Sequence, residues 1–334
     1  MARVFITGIA GFLGSHLAEA LLAEGHIVSG IDSLIGGDMD NVPLHAVCRI
    51  GDCNDLDYLR PLMRGIDVVY HCAATAHEGL SVFSPHLITQ NTFGASVATF
   101  TAAIDNRVKR IVHCSSMARY GKGVPPFAEY DKPRPEDPYG IAKVAAEQVL
   151  ANLCSVHGVE YVIAVPHNII GPKQKYDDPF RNVASIFINL MLQNRSPVIY
   201  GHGNQVRCFS YIDDCLSCLL KMGFQPLLSG RTINIGPDEG EIRIKDLFAL
   251  IAEITGFHGP PMFLPARPQE VHHAVCSSEL ARELLGYKTT VSLQDGLERM
   301  TAFIRERGPK KFQYHLPLEI ESPLTPKTWT DQLY

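Results

Sequence analysis

The sequence predicts a doubly wound α/β fold, a parallel sheet covered by helices on both faces, with a smaller lobe interleaved with its last strands. Three observations carry this. Through the first half, short β-branched runs alternate with longer segments of helical periodicity, and apolar strands separated by helices imply a parallel sheet. Glycines 8, 11 and 14 stand directly between the first strand and the first helix. After Val165 the rhythm breaks into shorter strands and loops rich in Pro, Gly and charge.

The strands follow in order as Val4–Ile6, Ile27–Ile31, Ala46–Ile50, Val68–His71, Arg110–Ser115 and Glu160–Val165. Each carries Val or Ile, whose branched side chains suit a pleated surface. Between them, helical spacing of apolar residues predicts helices over Gly14–Ala23, Leu56–Met63, Leu87–Asn106 and Tyr139–His157. Beyond the loop GPKQKYDDPF comes an amphipathic helix over Val183–Gln193. Strands are then expected at Val198–Tyr200, Arg207–Ile212 and Thr232–Ile235, and helices at Ile244–Thr255, Ser278–Leu285 and Leu293–Arg305. Residues 1–166 with about 204–236 would form the sheet domain. Residues 167–203 with 237–308 would form the lobe, and 309–334, with four prolines, a tail along the surface.

The 334 residues are 46% apolar and 19% charged, a composition that folds rather than stays disordered. A net charge of −5 excludes a nucleic-acid binder held by bulk positive charge. The start of the chain lacks the basic, apolar and cleavage regions of a signal peptide. The longest uncharged stretch, around His86–Ile104, is interrupted by Thr89, Gln90, Asn91 and Thr92 and is too polar to span a bilayer. Nine scattered cysteines read as reduced thiols of a cytoplasmic protein. Cys215 and Cys218 have CxxC spacing in a helix-like segment without a second pair, so they are read as small buried helix residues, and no metal is expected.

Glycines 8, 11 and 14 give GxxGxxG between strand and helix. The first allows a tight turn, the second close approach of a pyrophosphate, and the third close packing of helix on strand. The free N–H groups at the helix start suit phosphate. Asp32, at the end of the second strand, can accept from ribose hydroxyls and would repel a 2′-phosphate, which favours NAD over NADP. The alternative for Asp32 is a turn-forming aspartate. Tyr139 and Lys143 lie at i and i+4, on one helix face. A tyrosine hydroxyl titrates near ~10. A neighbouring ammonium and the positive ring of oxidised nicotinamide would lower that value, making Tyr139 a general base.

Together GxxGxxG, Asp32, HCAA at 71–74, SSMARYG at 115–121, YGIAK at 139–143 and NIIGP at 168–172 resemble an extended short-chain dehydrogenase/reductase. More narrowly, they resemble the NAD-dependent nucleotide-sugar epimerase/dehydratase family of the UDP-hexose 4-epimerase type, over nearly the whole chain. The resemblance implies a Rossmann domain in which Gly8, Gly11, Phe12, Leu13 and Gly14 form the phosphate loop. It implies that Asp32 contacts the ribose, Asp52 the adenine, and Ala73 and Ala74 the nicotinamide half. Ser116 would bind the reacting hydroxyl, Tyr139 would be the base, and Lys143 would hold the nicotinamide ribose. Asn168, Arg207 and Arg267 would hold the sugar nucleotide's diphosphate, a task suited to arginine's planar fork; taken singly, either arginine is a surface charge.

Three departures bear on the reaction and the substrate. Where family dehydratases and decarboxylases carry an acid after the Ser/Thr, this chain has Met117 and Ala118. That leaves reversible oxidation at sugar carbon 4. His167 replaces an aromatic residue beside the sugar, and His77 is a further sugar contact; each is alternatively a hydrogen-bonded residue behind the site. Ala274 stands where relatives carry a bulky tyrosine, which leaves room for an N-acetyl group unless His272 or His273 fills it.

The expected activity is therefore 4-epimerisation of a nucleotide sugar through a transient 4-keto intermediate, with tightly held NAD. The substrate pair is UDP-N-acetylglucosamine/UDP-N-acetylgalactosamine or UDP-glucose/UDP-galactose. The alternatives are a dehydratase or 4-ketoreductase of the same family, or a non-catalytic NAD-binding regulator. The resemblance also implies a homodimer built on the helices of Leu87–Asn106 and Tyr139–His157. Phe93, Val97, Phe100 and Ile104 share a face that could supply the contact, or could pack on the chain's own sheet.

Overall fold

In the computed structural model, which describes residues 1–268 and 270–334, the early apolar runs assemble into a seven-stranded sheet. Six strands lie in the first half: β1 (Arg3–Thr7), β2 (Ile27–Asp32), β3 (Val47–Ile50), β4 (Val68–His71), β5 (Arg110–Cys114) and β6 (Glu160–Pro166). The sheet order is Arg231–Ile235, β6, β5, β4, β1, β2, β3, and every pairing is parallel. The order reverses between β1 and β4, so a crevice opens there outside the carboxyl ends of the strands.

Alternation along β1 covers both faces. Val4 and Ile6 pack with Leu17 and Leu21 of helix α1 (Phe12–Ala23) and with Cys215 and Leu219 of helix Ile212–Phe224. Phe5 points the other way, into a cluster with Phe100 and Leu150. Cys215 and Cys218 are thus buried helix residues. A further core forms where Phe187, Leu190, Leu247, Ile251, Met300 and Ile304 come together from three helices.

Several expected elements differ. The helix expected over Leu87–Asn106 is Pro85–Thr89, a π-helical turn Gln90–Gly94, and Ala95–Asp105. The wide turn holds Asn91 on the crevice, with its amide donating to the Thr75 hydroxyl at 3.2 Å; π-turns often mark such places. The strand expected over Arg207–Ile212 is two short strands, Val206–Arg207 and Ser210–Tyr211, in different sheets, and Ile212 begins a helix. Strands Met262–Leu264 and His273–Ala274 carry no clear pattern, because the first is flanked by prolines and the second is two residues long.

The tail is mostly exposed along its length, with a few buried anchors. Leu316, Thr328 and Trp329 are buried, because an indole and its apolar neighbours gain more by leaving water. Phe100 is fully buried in the chain's own core, and Phe93 and Ile104 pack on the same cluster. Those three therefore follow the alternative reading of the expected dimer face. Among the described residues no helix is long and apolar enough to cross a membrane.

Candidate active site

A cleft of about 490 Å³ opens at the crevice, within the usual size of ligand sites. It brings together Gly8, Gly11, Phe12, Leu13 and Gly14 of the loop, Asp32, Asp52, Ala73, Ala74 and His77. Ser116, Tyr139, Lys143, Asn168, Arg207 and Arg267 line the same space.

At one end the backbone is bare. Gly8 has φ +74°, and a methyl group there would lie 3.0 Å from the Ala73 backbone. A methyl group on Gly14 would lie 2.1 Å from the Gly8 carbonyl oxygen, so a side chain at either position would break the turn. Gly11 caps helix α1 without any side-chain bond, leaving the first N–H groups to a ligand. Asp32 accepts from the N–H of Ala10 at 2.9 Å and of Leu34 at 2.8 Å, so it shapes the turn as well as lining the cleft. Burial pushes its carboxyl up, and the backbone donors oppose this. Asp52 accepts from the backbone and side chain of Asn54 at 2.8 and 2.9 Å. A cradle that only glycine can form, with carboxylates beyond it, fits a dinucleotide such as NAD.

The middle of the cleft is set by helix Pro138–His157. Asp137 caps it, accepting from the Gly140 N–H at 2.9 Å, and Pro138 opens it. Tyr139 therefore sits in the first turn and Lys143 one turn later. The Lys143 ammonium donates to the Cys114 carbonyl at 2.7 Å and lies 5.8 Å from the Tyr139 ring centroid. Burial pushes Lys143 down to about 8. Burial also pushes the Tyr139 phenol up, and Glu78 adds to this; hydrogen bonding with Ser116 and the charge of Arg181 oppose it. The net shift is upward, opposite to the expected lowering, because burial outweighs the opposition of Ser116 and Arg181.

The other end is charged. Arg267 donates to Glu270 at 2.7 Å and lies 4.8 Å over the Tyr200 ring, while its Nε has no partner among the described residues. Arg207 donates to the Val206 carbonyl at 2.8 Å. Asn168 donates to the Cys208 carbonyl at 3.0 Å. His77 bonds Asp178 through Nε2 at 2.8 Å. Although burial raises Asp178, His77, Arg181 and the Phe180 N–H hold it down at about 2.

Two expected contacts fall outside the cleft lining. Pro166 and Asn168 line it, whereas His167 between them is buried, its Nε2 meeting the Pro237 carbonyl at 3.0 Å. Ala274 is buried in the core cluster that holds Met117, Tyr120, Phe127 and Cys276. A count along the sequence cannot say which face a two-residue strand presents.

The sequence reading missed Glu78, Arg181, Trp329 and Tyr334, all on the cleft. Glu78 opens onto the cleft, but the protein packed around it pushes its carboxyl up to about 7; Asp137 and Glu270 add to this, and Arg207 and Arg267 oppose it. No sequence signal marks it beyond its place after His77. Because ionised Glu78 raises the Tyr139 phenol, Glu78→Gln should lower it. The rise of kcat/KM with pH should then move to lower pH, by about half a unit, as read from a pH–rate profile.

Comparison with known proteins agrees with this geometry. The model of the NAD dependent epimerase/dehydratase family matches residues 4–236. A UDP-glucose 4-epimerase of Mycolicibacterium smegmatis is 31% identical over 92% of this chain and 99% of its own. Among solved structures, a UDP-N-acetylglucosamine 4-epimerase from Methanobrevibacter ruminantium superposes with a TM-score of 0.85 at 28% identity, over 92% of this chain and 99% of that one. A UDP-glucose 4-epimerase of Thermus thermophilus in complex with NAD gives 0.82 at 28% identity, over 91% and 99%.

Proposed function

Because this chain belongs to the NAD dependent epimerase/dehydratase family, we propose that it is an NAD-dependent nucleotide-sugar 4-epimerase, a cytoplasmic homodimer acting on a UDP-hexose or a UDP-N-acetylhexosamine. The observation that carries this is one cleft that holds the glycine cradle, Ser116, Tyr139, Lys143, Arg207 and Arg267 together. The two residues after Ser116 are Met117 and Ala118, and neither can move a proton.

Bound NAD supplies a hydride acceptor and donor for sugar carbon 4. Ser116 orients the 4-hydroxyl, and Tyr139 takes its proton and later returns it. Lys143 holds positive charge beside Tyr139. Arg207 and Arg267 would keep the diphosphate while the 4-keto sugar turns its opposite face of carbon 4 to the nicotinamide end, and Tyr139 would give its proton back to the 4-oxygen.

The test is to incubate the purified protein with UDP-glucose, UDP-N-acetylglucosamine and UDP-glucuronate without added cofactor, reading products by proton NMR. Conversion to a 4-epimer is expected. A 4-keto-6-deoxy sugar or a decarboxylated product would overturn the reading.

Asp32 should also enforce cofactor choice. NAD is expected to bind at least about tenfold more tightly than NADP, since a 2′-phosphate would face a buried carboxylate. Asp32→Ser should narrow that ratio in thermal-shift titrations.

A further inference from the structure

The segment Thr325–Tyr334 is folded into the cleft. Trp329, the chain's single tryptophan, and Tyr334 both line it. The indole packs in one apolar cluster with Leu80, Phe83, Tyr139 and Phe180, and its N–H donates to the Pro179 carbonyl at 3.1 Å. A methyl group on Gly79 would lie 3.6 Å from the Trp329 ring and 3.6 Å from the Arg267 guanidinium. The indole and the guanidinium of the arginine assigned to the diphosphate thus both border Gly79.

Thr328, fully buried, ties the segment down. Its hydroxyl bonds the Tyr200 hydroxyl, and its carbonyl accepts from the Tyr314 hydroxyl at 2.9 Å. Tyr200 in turn supports Arg267 through its ring. At the end of the segment the Tyr334 N–H donates to the Tyr314 hydroxyl at 3.1 Å, and its ring rests on Phe312 at 5.2 Å.

We propose that Thr325–Tyr334 is a built wall of the nucleotide-sugar site, with Trp329 lying against the bound sugar diphosphate and Thr328 holding Tyr200 and Arg267 in position. The ligand class is a nucleoside diphosphate sugar, and the inference rests on the proposed role of Arg267. A rigid indole can exclude water around the diphosphate at little entropic cost, which strengthens charge-assisted bonds there. The wall acts on binding of the nucleotide sugar.

Because Trp329 is the single tryptophan, emission of the unmodified protein reads this wall directly. UDP titrated into the NAD-loaded protein should change the emission, saturating at the concentrations at which calorimetry shows binding. Trp329→Phe should raise KM for the converted nucleotide sugar about tenfold, a larger change than any in kcat, with NAD still bound. Thr328→Val should move KM in the same direction. UDP binding by calorimetry without an emission change, or a wild-type KM in Trp329→Phe, would overturn the inference while leaving the proposed function in place. Absence of any UDP binding would overturn the role of Arg267, and the inference with it.

Discussion

Tyr139→Phe should abolish most turnover, by about 10²–10⁴-fold, with the protein still folded and still holding NAD. Only a hydroxyl is removed, and the ring keeps its place in the cluster with Leu80, Phe180 and Trp329. The loss should fall on kcat, because the hydroxyl takes part in proton transfer and contributes little to holding the diphosphate. Near-normal kcat with unchanged NAD content would show that another group is the base, and Glu78 would be the first to test. Glu78 sits on the same cleft and is pushed up to about 7, so its carboxyl changes charge near neutral pH.

Glu147→Ala should destabilise the fold by about 3–5 kcal/mol, read from denaturant unfolding. Glu147 and Arg119 form an ion pair at 3.0 Å with both side chains almost fully out of water. The Ser115 hydroxyl donates to the same carboxylate, and Arg119 donates to the Tyr120 hydroxyl at 3.2 Å. Removing the carboxylate leaves a guanidinium in the interior with its charge uncompensated. Burial pushes the Glu147 carboxyl up, and Arg119 opposes this. Replacing both partners by leucine should cost less than the single change, because no charge is then stranded. Since Ser115 precedes Ser116 and Glu147 lies one turn after Lys143, the single variant should also lower kcat. A loss of stability below about 1 kcal/mol would mean that water reaches the pair.

Much of the site was legible because it is written in local spacing. The strand, the glycines and the helix of residues 3–23 are neighbours along the chain, and a positive φ at Gly8 is a local demand. Tyr139 and Lys143 fall on one face because the helix period is fixed by the backbone. The Asp137-Pro138 start of that helix follows from capping chemistry. The tail's prolines mark an exposed chain, but they carry no sign that Trp329, with its partner at Pro179, is anchored in the protein.

What the sequence determined by itself is the parallel sheet, the glycine cradle and the placing of Tyr139 and Lys143 on one helix face, because each depends on a period or a turn that the chain imposes within a few residues; Ser116 was read through the family resemblance. What only the tertiary structure decided is which distant groups share the cleft. Glu78, Arg181 and Trp329 enter it, and His167 and Ala274 are turned into the protein. Short strands and loops carry no period of their own, so the direction of their side chains is fixed by the surfaces against which they pack.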